Sequence, residues 1–229
     1  MKGHYPYRQD FEKVGQDFHT ATREHYTIWF TGKTERWKKA EVMLPRLVKL
    51  GKLVAHDYGK KLVYTVPRRC RGILPNIEHG VGCTEGLVRF RRSDMDCIVI
   101  PEQRFKGFKV VPEWGLLYPT GKLLLYEFST RDNAMRSGLI SRKVHLYERY
   151  LADIEKEFNA QATVLFVLDI PPEKIRPEGD CFFVDYQTFK SVPIGWQLTV
   201  TIYRWGKDGQ AYSLRKYDQP ILYQKPALR

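Results

Sequence analysis

Two carboxylates stand where a hairpin should be apolar. In the stretch VVPEWGLLYPTGKLLLYEFST, residues 110–130, Glu113 opens one hydrophobic run and Glu127 closes the next, with Pro119-Thr120-Gly121 between them. A turn at those three residues sets the acids about opposite each other on neighbouring strands. Burying an ionised carboxylate is costly unless it is paired, protonated or bound to a cation. Two carboxylates this close suit a divalent ion, whose charge offsets their repulsion. Mg²⁺ held by Glu113 and Glu127 can polarise a phosphate and activate water for hydrolysis. The same acids also fit a structural role, with Glu113 at the solvent edge of its strand and Glu127 in a buried ion pair with Arg136, Arg142 or Lys143.

The flanking sequence says what must position them. CIVI (97–100), FKVVPEWGLLY (108–118) and KLLLYEF (122–128) read as strands. A helix over about 134–158 follows, with Ile140, Val144, Tyr147, Leu151, Ile154 and Phe158 falling on one stripe. ATVLFVLDI (162–170) is a continuous apolar run, as expected of a strand covered on both faces. Upstream, residues 73–92 read as a helix weakened by Gly80, Gly82 and Gly86. Helix, three strands, helix and strand imply a mixed sheet flanked by helices. Further strands are expected at 181–186, 196–205 and 211–217, the last two turned at residues 206–209.

The first 72 residues have a different character. They hold 16 Lys and Arg against 7 Asp and Glu, a net of +9, whereas residues 73–229 carry only +3 of the chain's +12. Such asymmetry points to a polyanion, nucleic acid being the commonest. Residues 8–20 and 22–30 read as short helices. Thr34 then caps a third, in which Trp37, Ala40, Met43 or Leu44, Leu47 and Leu50 recur at helical spacing and Gly51 supplies the stop. Pro45 predicts a kink or a fresh helix start. KLVAHDY and KKLVYTV, joined around Tyr58-Gly59-Lys60, form a hairpin.

Three helices and a basic hairpin make a winged helix-turn-helix pattern, assigned to residues 1–68. Arg36, Lys38, Lys39, Arg46 and Lys49 on the third helix, Lys60 and Lys61 at the hairpin, and Arg68 and Arg69 beyond it are the candidate contacts to double-stranded DNA. They also suit the solvated face of an amphipathic helix. VPRRCRG (66–72) marks the boundary to a second domain, residues 73–229.

Taken together, this helix-rich start, EHGVGCTEGLVRF, VVPEWGLLY, LLLYEFST and the helix containing RKVHLYERYL resemble the replication-relaxation family over about residues 20–170. Proteins of that family are encoded largely on plasmids and other mobile elements. The second domain also resembles the PD-(D/E)xK nuclease fold, whose signature is Pro-Asp, a spacer, then acid-x-Lys. The resemblance assigns Glu113 to the acid after the proline and Glu127 to the acid of the second strand. Ser129 stands where the nuclease lysine belongs, and Lys143 on the following helix is the substitute it suggests, with Glu85 as a further acid. It implies DNA binding in replication or control of a mobile element, with a degenerate nuclease-like domain serving binding or assembly. The alternatives are a Mg²⁺-dependent endonuclease and a docking subunit for other replication or mobile-element proteins; a homodimer is compatible with each.

The fold class expected is therefore α/β, α+β across the whole chain. At 229 residues with 43% apolar content the chain can bury a substantial core. No stretch approaches a membrane span, and Cys70, Cys83, Cys97 and Cys181 form no zinc spacing, so a soluble, cytoplasmic protein is expected. Two weaker candidates remain. Tyr203, Arg204, Trp205, Lys207, Tyr212, Arg215, Lys216 and Tyr217 can stack on bases and hold phosphates, or simply divide between core and solvent. His79 reads as a core residue more readily than as a catalytic one.

Overall fold

A computed structural model describes residues 8–18, 20–30, 36–67, 77–93, 97–177 and 179–191. The chain divides into two compact units, Met1–Arg92 and Ser93–Arg229, both mixing helix and sheet. Expected contacts Arg68 and Arg69, Cys70, and the strands and aromatic residues expected beyond residue 195 lie outside the described residues.

The first unit runs α1 (Arg8–Asp17), β1 (Ala21–Thr22), α2 (Arg23–Phe30), α3 (Arg36–Lys49), β2 (Val54–Tyr58), β3 (Lys61–Thr65) and α4 (Ile77–Ser93). Its sheet has the order β1-β3-β2, all antiparallel. Phe11, Phe18, Tyr26 and Phe30 interlock at its centre, the Phe11 and Phe30 rings 4.5 Å apart. Ala40, Met43, Leu44 and Leu47 bury one side of α3, as their spacing requires.

Gly51 ends α3 with φ +65°, Gly51 N–H donating to Val48 C=O and Lys52 N–H to Leu47 C=O, both at 2.9 Å. These two bonds satisfy carbonyls that a helix end leaves unpaired. The hairpin then closes with a two-residue loop, Gly59-Lys60, between the paired residues Tyr58 and Lys61. Gly59 has φ +59°, at the position where a type II′ turn takes glycine.

Three details go beyond the sequence reading. No fresh helix starts at Pro45, which lies inside α3 on its exposed side, where the Glu41 carbonyl it leaves without a helical donor can reach water. β1 is too short for a periodic pattern to reveal. The units divide after Arg92, so α4 falls in the first unit and not with residues beyond the 66–72 connection. Thr20 N–H donates to Thr84 Oγ1 (3.3 Å) and His25 Nε2 lies 2.7 Å from Glu85 Oε2, which ties α4 to β1 and α2.

The second unit contains β4 (Ile98–Pro101), β5 (Trp114–Tyr118), β6 (Lys122–Ser129), α5 (Arg131–Met135), α6 (Leu139–Phe158), β7 (Gln161–Leu168), β8 (Phe182–Asp185) and α7 (Tyr186–Ser191). The sheet order is β4-β5-β6-β7-β8. The first three strands are antiparallel neighbours; β7 and β8 continue in parallel after the α6 crossover. Ile140, Val144, Tyr147 and Ile154 of α6 pack on a core with Leu123, Leu125, Val164 and Phe166. β7 is nearly all buried, consistent with its unbroken apolar run.

The expected strand 108–118 is shorter than predicted. Pairing of β4 with β5 starts at Pro101↔Trp114, a 3₁₀ turn at Glu102–Phe105 follows β4, and residues 108–113 complete the connection. Pro112 has no N–H to give a ladder. The helix expected over 134–158 is likewise two, broken at Gly138, whose φ of +73° interrupts the helix between Met135 and Leu139.

Candidate functional site

The turn between β5 and β6 brings Glu113 and Glu127 to the same end of the strand pair. β5 and β6 pair from Tyr118↔Lys122 to Trp114↔Tyr126, and just beyond the last pair Glu113 N–H donates to Tyr126 C=O at 3.0 Å, one residue out of that register. Glu127 alternates with Leu123 and Leu125 on the face of β6 that α6 covers, and the charge of Glu113 reaches it there.

Glu127 is 1% exposed, and both its oxygens have donors. Lys143 Nζ donates to Oε2 at 2.6 Å and the Tyr147 hydroxyl to Oε1 at 2.8 Å. Lys143 and Tyr147 are four residues apart on α6, so one helix face delivers both. With two donors and no hydrogen of its own to offer, the carboxyl is suited to its ionised form. Burial pushes its pKa up from the ordinary value; Lys143 pulls it back and the charge of Glu113 adds to the rise, and the net direction is upward. Burial also holds the Tyr147 phenol well above its usual range, with Glu127's charge reinforcing the effect, so it remains a donor.

The cation beside Glu127 is Lys143. A divalent ion binding Oε2 would have to displace the ammonium, which is one-third exposed and has a path to solvent. Ser129 lies on the same face two residues on, buried, where it can bring no charge. Of the three expected ion-pair partners, Lys143 is the one in place; Arg136 and Arg142 are exposed. Glu113 is half-buried.

Glu85, the further acid, is held within the first unit. His25 Nε2 meets its Oε2 at 2.7 Å, while Arg89 Nε donates to Oε1. The backbone N–H of Thr22 donates to His25 Nδ1 (3.2 Å), which fixes the tautomer with the hydrogen on Nε2, facing Glu85. Burial works to raise the Glu85 carboxyl, but the His25 bond and the Arg89 guanidinium outweigh it and bring its pKa down to about 2. His79, half-buried one helical turn before Cys83, lies with Nε2 3.5 Å from the thiol sulfur. Cys83, Cys97 and Cys181 are buried.

The basic candidates divide. Lys39 and Lys49 are exposed on α3, Arg46 is half-buried, and Lys60 and Lys61 are exposed at the hairpin. Only the backbone is described for Arg36 and Lys38. Lys61 donates to Glu24 on α2 (3.2 Å), and Arg23 to Glu41 on α3 (3.3 Å), so acidic side chains already offset part of the positive charge.

Tyr147 and the His25–Glu85–Arg89 network escaped the sequence reading. A tyrosine inside a helical apolar stripe is the one available signal, because its hydroxyl needs a partner when buried. His25 and Glu85 are 60 residues apart and carry no local signature. No helix among the described residues is long and apolar enough to cross a membrane. Comparison with family models, curated proteins and solved structures gives no match.

Proposed function

We propose that the chain is a double-stranded DNA-binding protein whose second unit is a degenerate nuclease-like domain used for binding or assembly. The order α1, β1, α2, α3, β2, β3 with sheet order β1-β3-β2 supports a winged-helix reading. The observation that carries the reading is the outward side of α3, where Lys39 and Lys49 are exposed, together with exposed Lys60 and Lys61 at the hairpin. Phosphate contacts from these residues would provide affinity, with α3 in the major groove. The resemblance to the replication-relaxation family adds the setting, replication or control of a plasmid or other mobile element.

Degeneracy is supported by Lys143. The acid pair has an ammonium on Glu127 Oε2 and a serine at the nuclease lysine position. A second reading, a divalent-metal-dependent endonuclease, is favoured by the nearness of Glu113 to Glu127, on whose carboxyl its charge acts. Fluorescence anisotropy with a mixed-sequence duplex, calorimetric titration of Mn²⁺ and Mg²⁺, and a plasmid-nicking assay separate the two. Salt-sensitive duplex binding with no metal heat and no nicking is expected. Metal binding that vanishes in Glu113→Gln/Glu127→Gln, accompanied by nicking, would replace the first reading with the second.

A further inference from the structure

α3 has an apolar residue where its fold needs none. Its core side is complete with Ala40, Met43, Leu44 and Leu47, all buried. At roughly 100° per residue, Val42, Pro45 and Lys49 fall on the opposite side. Val42 is 50% exposed there, and Pro45 and Lys49 are exposed too. Lys39 lies three residues before Val42 and Arg46 four residues after it, so the apolar spot is bracketed by positive charge one turn away in each direction.

That pattern has a chemical match in duplex DNA. Phosphates lie at the groove edges, and the floor of the major groove offers one apolar group, the 5-methyl of thymine. A helix entering the groove places long cationic side chains toward the phosphates and a short branched side chain toward the floor. Lysine reports phosphate whatever the sequence, whereas valine has nothing to gain from phosphate. Pro45, exposed as well, extends the apolar strip along the same side of the helix.

We propose that Val42 is a specificity-determining residue that contacts the 5-methyl group of thymine in the major groove. This rests on the DNA-binding reading above. It predicts that the preferred site contains at least one thymine whose methyl group matters and that Val42 is the residue that senses it.

The test uses the full chain. Bound sequences are selected from a randomised duplex library, and each thymine of the enriched site is replaced in turn by uracil, which removes the methyl and leaves base pairing and hydrogen-bonding edges intact. Affinities are measured for the unaltered protein, Val42→Ala and Val42→Thr. At one or two positions uracil is expected to weaken the unaltered protein about fourfold, the scale of one methyl taken out of water. Val42→Ala should lose that sensitivity, and Val42→Thr, which keeps one methyl, should retain part of it. Equal uracil effects with and without Val42, or none at any thymine, would overturn the proposal while leaving DNA binding intact. Failure to enrich or bind any duplex at low salt would overturn both. Because Val42 is half exposed, none of these variants removes core packing.

Discussion

Lys143 Nζ stands 2.6 Å from Glu127 Oε2, joining a side chain that is one-third exposed to one that is 1% exposed. This difference in burial makes the two ends of the pair unequal. Lys143→Met strands a buried carboxylate and is expected to destabilise the second unit by about 3 to 5 kcal/mol. Glu127→Gln is expected to be neutral or slightly stabilising at neutral pH: the amide oxygen still accepts from Tyr147, and Lys143 turns to solvent. Chemical denaturation of the full chain checks the asymmetry, and combining both substitutions should return stability to that of Glu127→Gln.

The same pair sets a pH dependence. The pKa of Glu127 is raised from an ordinary value of 4.5. A carboxyl raised on folding contributes most below its unfolded value and less as pH rises through its folded value. Unaltered protein should therefore lose stability relative to Glu127→Gln as pH rises from about 4.5 toward neutral. Denaturation curves for both proteins at a series of pH values read this directly; a gap that moved the other way would mean that Lys143 outweighs burial.

Glu85 should show the opposite sign. Its folded value is about 2, below the ordinary 4.5, so its contribution is present above 4.5 and is lost as pH falls toward 2. The shift corresponds to a stabilisation on the order of 3 kcal/mol. Glu85→Gln should destabilise the first unit at neutral pH and remove this part of the acid transition. Tryptophan fluorescence and circular dichroism through an acid titration of both proteins would show it.

Much of this arrangement is written in local pattern. The α6 stripe, the Gly51 stop and the turns at Gly59 and Pro119 to Gly121 each follow from neighbours in sequence, and the β5–β6 turn brings Glu113 and Glu127 to one end of the strand pair. What escaped depends on distant contacts. Gly80 weakened the expectation of α4, yet a Cβ there would lie 2.9 Å from Thr20 Cβ; the glycine serves a close approach that no window around residue 80 can reveal. The choice of Lys143 over Arg136 and Arg142 depends on the break at Gly138, which sets where α6 begins and which side faces β6. Ile140, Val144 and Tyr147 then fix the buried face, and Lys143 lies beside it with a stem long enough to reach Glu127.

The charge arrangement of the first unit yields a last prediction. Lys39 and Lys49 are exposed, while Lys61 shares its charge with Glu24 at 3.2 Å. Each phosphate contact adds roughly 0.9 to the slope of log affinity against log salt. Lys39→Ala/Lys49→Ala should therefore reduce that slope by about 2 and weaken binding across duplex sequences. Lys61→Ala should have the smaller effect of a partly neutralised cation. Glu24→Gln should tighten binding, because it releases Lys61 and removes a negative charge that would repel phosphate. Anisotropy titrations of one mixed-sequence duplex at several salt concentrations measure all of these. Tighter binding in Glu24→Gln is the most informative outcome, since general damage to the fold would weaken binding.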